Sequence, residues 1–290
     1  MAIIVNMACG LANRMFQYSF YRYLLHKGYD AKVDYFTTKT LAHEEVEWSR
    51  IFPDAAFDKA SAAEILKLGG GKDIFSKIFR KYLNRFTKVS EMSSAYSVYK
   101  PEKDNENRYI LGVFQNAVVV ESIEEELREA FQFKPFQDEQ NIKLASKLQK
   151  ENSVAIHVRK GNDYQSRIWY KNTCSSDYYK TAIDLIKKSV ENPVFYVFTD
   201  NPEWVKDNIS GFDYTIISHN PVAGWGSHFD LHLMSLCKHN IISNSTYSWW
   251  GAFLNSNPDK TVIIPEIWFN PEATHDFSSV PLKCKGWIAL

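Results

Sequence analysis

The sequence lacks the features that mark several large classes of protein. Lysine plus arginine and aspartate plus glutamate both number 34, so the formal net charge is zero and nucleic acid is not expected as the main partner. No apolar run approaches the roughly 18 residues that a membrane span requires. The start, "MAIIVNMACG", has no charged segment before its short apolar stretch, so we expect no secretory signal peptide.

Cysteine is scarce, and the common metal and dinucleotide motifs are missing. The four cysteines are Cys9, Cys174, Cys237 and Cys284, and they form neither a C-x-x-C pair nor a zinc spacing. We therefore expect reduced thiols and a cytoplasmic protein. The chain contains no D-x-D sequence and no G-x-G-x-x-G fingerprint, so neither a metal-binding acidic pair nor a dinucleotide site is predicted.

Aromatic residues are abundant, and strand and helix patterns alternate along the chain. Aromatics make up 15% of the 290 residues, which suits sugar-binding surfaces as well as cores. The clean βα alternation after residue 151 predicts an α/β fold with parallel sheets. We place one domain at residues 1–150 and a second at 151–290, and leave open whether the last residues pack back on the first domain.

Charged residues gather directly after the apolar run "SVAI", in the stretch "HVRKGND" at residues 157–163. Strand alternation places His157 and Arg159 on one face, at the carboxyl end of a predicted strand. A guanidinium binds phosphate oxygens through paired hydrogen bonds and keeps its charge. The stretch predicts an anion site, with Asp163 as a base, a ligand contact or a partner of Arg159. The alternative is a solvated strand end followed by a turn.

Two further predicted strands end in polar groups. Asp200 follows "PVFYVFT", where its carboxylate could accept hydrogen bonds from a guanine edge, although Asp200 or Asn201 could instead cap the next helix. The strand in "IISNSTYSWWG" runs into hydroxyl side chains, and a helix is predicted to start near Tyr247 or Ser248. A helix start with free N–H groups binds anions, although plain capping gives the same pattern.

These strand ends together predict a site for a nucleoside diphosphate. Ligands of parallel α/β sheets bind at the carboxyl ends of the strands. The turn in "ACGLANRMF", with Gly10 and Asn13 before a predicted helix, offers polar groups from the first half of the chain. Because no D-x-D pair is present, Arg159 and the helix start must neutralise the diphosphate, a role that a metal plays in many sugar transferases.

The same motifs resemble those of the bacterial α-1,2-fucosyltransferases, glycosyltransferase family eleven. "CGLANRMFQYSFYRYL" is similar to the family's entry motif G-G-L-G-N-Q-M-F-Q-Y, and "GVFQN" to its G-Y-x-Q segment. "HVRKGND" resembles H-x-R-R-G-D, and "FYVFTDNPEW" resembles F-x-S-D-D-x-x-W. "DLHLMSLCKHNIISNSTYSWWGAFLN" is nearly a full match to the longest motif, and the likeness spans most of the chain.

The resemblance implies a GT-B fold, in which two Rossmann-like domains face a cleft. It implies inverting transfer of L-fucose from GDP-fucose to the 2-hydroxyl of a β-galactoside, without a metal or other cofactor. Residues 1–150 would form the acceptor side and residues 151–290 the GDP-fucose side. The acceptor is expected to be a galactose-terminated glycan, with lactose, a type-one disaccharide and a lipid-linked repeat unit all open.

The resemblance also assigns individual residues. The implied donor-binding residues are Asn13, His157, Arg159, Asp200, Asn244, Ser245, Thr246 and Ser248. Arg159 would bind the diphosphate and Asp200 the guanine, and the acceptor-side candidates are Asn13, Arg14 and Gln115. The chain departs from the entry motif where Cys9, Ala12 and Arg14 replace Gly, Gly and Gln. It departs from H-x-R-R-G-D because Lys160 replaces the second arginine and Asn162 is an extra residue before Asp163.

Catalysis is assigned to Arg159 and Asp163. Arg159 would stabilise the charge on the departing GDP, and Asp163 would take the proton of the attacking hydroxyl, with His26, His43 and Glu44 as alternative bases. Two other functions stay open: transfer from another GDP-sugar, such as GDP-mannose or a deoxyhexose relative of fucose, and sugar binding without catalysis.

Residues 73–89, "DIFSKIFRKYLNRFTKV", alternate apolar and basic side chains at helical spacing. Such a segment could lie on the inner face of the cell membrane, and this would make the protein peripheral there. The alternative, which we favour, is an amphipathic helix packed on the first domain or over the cleft.

Overall fold

The computed structural model describes residues 2–35, 45–68, 89–91, 107–161, 164, 166–171, 173–273 and 280–290. The chain forms two compact units, the N unit (Met1–Gln132) and the C unit (Phe133–Leu290). Each unit contains a parallel sheet with helices between its strands, so the predicted α/β class is confirmed. Of the helices described, none has the length and apolar character needed to cross a membrane.

The N unit is built on a four-stranded parallel sheet with the order β2-β1-β4-β3. Its strands are β1 (Ala2–Asn6), β2 (Asp30–Asp34), β3 (Val89–Glu91) and β4 (Arg108–Leu111). Its helices are α1 (Leu11–His26), α2 (Glu45–Ile51), α3 (Ala62–Lys67), α4 (Ala117–Glu121) and α5 (Glu124–Ala130). Because β1 pairs on both sides, the turn that follows it emerges in the middle of the sheet's carboxyl edge.

Helix α1 packs its aromatic face into the core of the N unit. The ring of buried Tyr18 lies 5.6 Å from that of Trp48 and 5.4 Å from that of Phe131, centroid to centroid. Contacts of this kind between aromatic rings add to the stability gained from their burial. Just past the helix, Gly28 adopts a φ of 79°, a left-handed conformation that favours glycine and that ends the helix.

The C unit is built on a six-stranded parallel sheet with the order β10-β9-β8-β5-β6-β7. Its strands are β5 (Ser153–Val158), β6 (Val194–Thr199), β7 (Tyr214–Ile217), β8 (His239–Ile241), β9 (Val262–Ile264) and β10 (Ile288–Ala289). Its α-helices are α6 (Glu139–Lys150), α7 (Ser176–Ser189), α8 (Pro202–Asn208), α9 (Phe229–Leu236) and α10 (Thr246–Leu254). Two 3-10 turns cover Ile168–Tyr170 and Val280–Leu282.

Strand β5 is buried along its whole length, as its apolar run predicts. Val154, Ile156 and Val158 form a core with Tyr179 and Ile183 of α7. Burial of side chains of this size contributes about 1.5–3 kcal/mol each to folding. Ala155 and His157 alternate with these residues along the strand and therefore lie on its other face.

Helices α9 and α10 pack closely, and their N-terminal ends lie together. A Cβ atom added at Gly251 of α10 would come 3.0 Å from the Cβ of Met234 of α9, so a larger residue would require the two helices to shift apart by a few tenths of an ångström. The Tyr247 hydroxyl donates to the Ser227 carbonyl (2.6 Å) and accepts from the Leu231 N–H (2.8 Å). These bonds place the start of α9 beside the start of α10.

Element boundaries differ from the sequence expectations at several points. β4 ends at Leu111, and the backbone turns three residues later at Phe114, which has a φ of 49°. Helix α4 was not predicted. We place the domain division after residue 150, and the two compact units divide after Gln132, so α6 lies in the C unit. The last strand, β10, pairs with β9 and so belongs to the sheet of the C unit.

Candidate active site

Three predicted motifs meet at the carboxyl edge of the C-unit sheet. Strand β5 lies between β6 and β8, with His157 opposite Phe198 and Ile156 opposite Ile241. The residues that follow the three strands are therefore neighbours, although they are far apart in the sequence. This edge gathers His157, Arg159, Asp200, Asn244, Ser245, Thr246 and Ser248.

His157 is a buried, neutral side chain at this edge. Its Nδ1 lies 2.8 Å from the Ser243 Oγ, so a hydrogen bond joins the ends of β5 and β8. Burial lowers the pKa of His157 to about 3, and the nearby charge of Arg159 acts in the same direction. The imidazole therefore offers a hydrogen bond and no positive charge at neutral pH.

The depressed pKa of His157 predicts that the protein loses stability as the pH falls. An unfolded histidine takes up a proton near pH 6.5, and folded His157 does so only near pH 3, so the unfolded state binds more protons between these values. We expect the free energy of unfolding to fall by about 2 kcal/mol from this residue between pH 7 and pH 5. His232, whose pKa burial lowers to about 4, acts in the same direction.

Urea unfolding at pH 7 and pH 5, for the wild type and His157→Gln, measures this effect. Glutamine can still bond to Ser243 and does not titrate, so the variant should lose less stability between the two pH values than the wild type does. Equal losses in the two proteins would show that His157 takes up its proton in the folded state.

Arg159 follows β5 and carries the positive charge of the site. Its guanidinium carbon lies 5.7 Å from the centroid of the Tyr164 ring, a distance typical of cation–π contacts. The side chain is half-buried, so its charge is less screened than that of a surface arginine. The planar group thus lies against an aromatic ring whose hydroxyl bonds to Asn244, the residue before the N-cap of α10.

Asp200 shapes the turn that carries Arg159. One of its carboxylate oxygens, Oδ1, accepts the N–H groups of Lys160 (2.7 Å) and Gly161 (2.9 Å). The neighbouring Asn201 caps α8, as the helix-capping alternative expects, by accepting the Trp204 N–H (3.0 Å). Guanine binding by Asp200 stays a prediction and must use the carboxylate alongside these backbone bonds.

Lys160 packs inside the C unit. Its ammonium donates to the Thr173 carbonyl at 2.8 Å and lies 5.1 Å from the centroid of the Trp204 ring. Burial lowers the pKa of this ammonium. Lys160, at the position of the family's second arginine, therefore anchors the loop after β5 to residue 173.

The Asn244 side chain binds four protein groups at once. Its Nδ2 donates to the Thr173 Oγ1 (2.9 Å) and to the Trp268 carbonyl (2.7 Å). Its Oδ1 accepts from the Tyr164 hydroxyl and from the Cys174 Sγ (3.3 Å), and the residue is almost fully buried. The amide thus ties together three loops, which argues against the predicted direct contact of this side chain with a donor.

Helix α10 presents a free hydroxyl at its start. Ser245 is the N-cap residue and only 4% exposed, yet its Oγ has no hydrogen-bond partner within the part of the chain that the structure describes. A buried hydroxyl normally finds a partner. Helix α10 carries no acidic residue in its first turn, so the partial positive charge of its N-terminus is not neutralised there. The geometry therefore fits an anion bound at Ser245.

Two other predicted residues of this helix differ in position. Thr246 is its first residue and half-buried, close to the capping serine. Ser248 is fully buried and donates to the Ser245 carbonyl at 3.3 Å, so it stabilises the first turn from within. A direct donor contact is thus more consistent with Thr246 than with Ser248.

In the N unit, two of the predicted acceptor-side residues lie together. The Gln115 Nε2 donates to the Asn13 Oδ1 at 3.1 Å, which links the start of α1 to the segment after β4. Before α1, the exposed Cys9 adopts a φ of 75°, and the Gln17 Oε1 accepts the N–H of Ala8 at 2.8 Å. Asn13 and Gln115 therefore form a polar pair at the carboxyl edge of the N-unit sheet.

Arg14, the third acceptor-side candidate, is buried. Its side chain is 1% exposed, its Nη1 donates to the Tyr35 hydroxyl at 2.5 Å, and its guanidinium lies 4.9 Å from the centroid of that ring. This burial argues against the predicted contact of Arg14 with an acceptor, because the helical position that follows Asn13 points into the core.

The comparison with protein families decides the identity of the chain. A model described as Glycosyl transferase family 11 matches residues 71–290, which is well over half of the 290 residues. The chain belongs to glycosyl transferase family 11. The resemblance read from the motifs is thereby confirmed.

Individual relatives of this family 11 glycosyltransferase differ in their sequence identity to it and in the share of each chain that aligns. An α-1,2-colitosyltransferase of Escherichia coli is 28% identical, over 99% of this chain and 98% of its own length. The O-antigen biosynthesis glycosyltransferase WbnK of E. coli is 32% identical over 56% of each chain. Among solved structures, the fucosyltransferase NodZ from Bradyrhizobium aligns with a TM-score of 0.49 and 11% identity, over 86% of this chain and 92% of that one.

Several predicted features of the family 11 enzyme lie outside the described residues. These are Asp163 and Asn162, the alternative bases His43 and Glu44, and all of the segment 73–89 except Val89, which begins β3. The third alternative base, His26, contacts Glu126, which also contacts Arg22. Searched over the described residues, the chain has no cluster of three His, Cys, Asp or Glu side chains that could hold a metal ion. Metal independence stays a prediction.

No pattern in the sequence predicts the network around Asn244. Tyr164, Thr173, Cys174 and Trp268 reach it from three loops, and none of them stands at a motif spacing that reports a contact. Only the proximity of Tyr164 to Asp163 in the strand-end motif could have drawn attention to one member.

Proposed function

We propose that this family 11 glycosyltransferase moves L-fucose from GDP-fucose to the 2-hydroxyl of a β-galactoside, with inversion at the transferred carbon. The observation that carries the proposal is the meeting of Arg159, Asp200 and the start of α10 at one sheet edge. A guanidinium and a helix start suit a diphosphate, and a carboxylate suits guanine. The α-1,2 specificity in the colitosyltransferase's name supports the linkage.

In this mechanism the bond between the sugar carbon and the β-phosphate oxygen breaks, and negative charge grows on GDP. Arg159 and the N-terminus of α10 stabilise that charge, and the free Ser245 hydroxyl donates a hydrogen bond to it. Neutral His157 keeps the end of β5 in place through Ser243 without adding a second cation. The chain's own positive groups thereby take the role that a metal has in other transferases, and no cofactor is needed.

The acceptor hydroxyl attacks the opposite face of the sugar and loses its proton to a base. We assign the role of this base to Asp163, which follows Arg159 by four residues in the strand-end motif. The Asn13–Gln115 pair is the acceptor-side group that the N unit offers. A galactose-terminated glycan is the acceptor in this proposal.

A second donor, GDP-colitose, is favoured by one observation. The α-1,2-colitosyltransferase aligns with this chain along nearly its whole length. Colitose is L-fucose without the 3-hydroxyl, so a pocket for either sugar holds the same ring and the same methyl group. A site that hydrogen-bonds the 3-hydroxyl rejects the deoxy sugar strongly, whereas a site without such a bond accepts both.

Parallel reactions with GDP-fucose, GDP-colitose and GDP-mannose test the proposal. With lactose or a type-one disaccharide as acceptor, we expect GDP release together with an α-1,2-linked product from GDP-fucose, and little from GDP-mannose. NMR of the purified product gives the linkage. Addition of EDTA should leave the rate unchanged within about twofold, since the proposed charge stabilisation comes from the protein.

The possible outcomes distinguish an error in the donor sugar from an error in the reaction type. A product formed from GDP-colitose alone would replace fucose by colitose as the donor and leave the site assignments intact. Transfer from neither 6-deoxy sugar to any galactoside tested would refute the proposed function. Loss of activity in EDTA that Mg²⁺ or Mn²⁺ restores would refute the metal-independent mechanism.

A further inference from the structure

The 3-10 turn Ile168–Tyr170 holds a large aromatic side chain out in solvent on a fixed backbone. Trp169 is 48% exposed, whereas Trp48, Trp249, Trp250 and Trp268 are each exposed by 2% or less. The almost fully buried Asn270 donates its N–H to the Trp169 carbonyl (2.7 Å) and its Nδ2 to the Ile168 carbonyl (2.9 Å). The indole is therefore displayed by a backbone that two hydrogen bonds hold in place.

This turn is joined directly to the candidate active site. The ring of Tyr170 stacks on that of Tyr164 with centroids 4.5 Å apart and planes 5° from parallel, and Tyr164 is the ring beneath Arg159. The Thr173 Oγ1 donates to the Tyr170 carbonyl at 2.6 Å and accepts from the Asn244 amide at 2.9 Å. The same interactions that position the anion site thus position the residue next to Trp169.

An exposed indole on a fixed backbone, beside a site for a sugar nucleotide, has a specific chemical use. The C–H groups at positions 3, 4 and 5 of β-galactose form an apolar face that packs flat against an aromatic ring, while the hydroxyls remain free to react. The face of a tryptophan side chain offers the galactose ring a large contact area. The cost in side-chain entropy is small, because a tryptophan side chain has only two rotatable bonds. A membrane contact would instead require a broad apolar face.

We propose that Trp169 is the stacking platform for the acceptor galactoside, so that the C unit supplies part of acceptor binding. This inference rests on the proposed function for the identity of the acceptor. It assigns to the donor-binding unit a role that the sequence places wholly in residues 1–150. Trp169 acts on the affinity for the acceptor and not on the departure of GDP.

The test compares Trp169→Phe, Trp169→Leu and Trp169→Ala, with Ile168→Ala as the matched control on the same turn. Ile168 is 55% exposed and has no aromatic face. For transfer to lactose, we expect the KM for lactose to rise about fivefold to tenfold in the Leu and Ala variants, with kcat and the KM for the GDP-sugar close to those of the wild type. The Phe variant should stay within about threefold, and Ile168→Ala should match the wild type.

A binding measurement keeps the inference separate from the proposed function. Saturation-transfer NMR of lactose and methyl β-galactoside, with GDP present, reports acceptor binding whether or not transfer occurs. We expect the signal from the wild type and the Phe variant to be strong and that from the Leu and Ala variants to be weak. Hydrolysis of GDP-fucose, followed in parallel samples, reports on the donor site alone.

Three results would overturn the platform. They are an unchanged lactose KM and NMR signal in Trp169→Ala, a Leu variant that performs as well as the Phe variant, and no galactoside signal from the wild type. A fourth result would overturn it in favour of lipid binding. In that case Trp169→Ala and Trp169→Leu bind galactosides normally but float less than the wild type with vesicles of phosphatidylglycerol. The unfolding temperature of each variant should equal that of the wild type, because the side chain is half-exposed.

Discussion

Arg159→Lys is expected to lower kcat/KM for GDP-sugar transfer by roughly tenfold to hundredfold. Lysine keeps the positive charge but cannot form two parallel hydrogen bonds to phosphate oxygens, and it loses the planar contact with the Tyr164 ring. The loss corresponds to about 1.5–3 kcal/mol of transition-state stabilisation. Steady-state kinetics with GDP-fucose and with GDP-colitose measure it.

The matched control for this variant is Arg128→Lys. Arg128 lies on α5 of the N unit, where it pairs with Glu124 one helical turn away. A partly exposed pair of this kind contributes little to stability, so turnover should equal that of the wild type. If Arg159→Lys retains near-normal turnover while Arg128→Lys does the same, Arg159 is not the group that binds the diphosphate.

Asn244→Ala is expected to destabilise the protein by about 2–4 kcal/mol and to abolish most of its activity. The substitution removes the donor to the Trp268 carbonyl and the acceptor of the Cys174 S–H, although the backbone N–H of residue 244 still donates to the Cys174 Sγ. Burial in this region raises the pKa of that thiol to about 12. Each buried polar group left unsatisfied costs about 1–3 kcal/mol. Urea unfolding at pH 7 gives the free energy, and donor hydrolysis at a temperature where the variant is folded gives the activity.

Asn152→Ala provides the comparison for Asn244. Its exposed amide donates to the Glu191 carbonyl at 2.6 Å, so the same atoms are removed at the surface. Water can replace this bond, and the change should stay within about 0.5 kcal/mol. A loss below about 1 kcal/mol in Asn244→Ala would show that the three loops are held by other contacts and that the amide is free to bind the donor, as first predicted.

The sequence reveals the C unit more completely than the N unit, for a physical reason. Buried parallel strands read as continuous apolar runs, and the polar residues that follow them identify the carboxyl edge of the sheet. In this way β5, β6 and the start of α10 could be located to within one or two residues. Helices α2, α3 and α4, by contrast, are only five to seven residues long, and short helices carry little periodicity.

Within the site, the residue types were predictable and their partners were not. Arg159 could be identified as an anion-binding residue from its type alone, because a guanidinium keeps its charge and its paired donors in almost any surroundings. The sequence predicts donor contacts for Asp200 and Asn244, because an isolated carboxylate or amide gives no indication of how many protein groups it already binds. That distinction depends on backbone N–H groups and carbonyls from distant loops, such as those of Gly161 and Trp268.

The position of β8 beside β5 determines when the site can form as the chain folds. β5, β6 and β7 follow one another in the sequence and pair in that order, so they can associate as soon as they are synthesised. After β7, the chain must cross back over β6 and β5 before β8 can pair with the free edge of β5. The hydrogen bond between Ser243 and His157 therefore joins residues that are 86 positions apart in the sequence. Contacts of such long range form late because they close a large loop. A nascent chain that ends before β8 therefore has half of its sheet and no anion site, and a ligand for that site can stabilise only the last stage of folding.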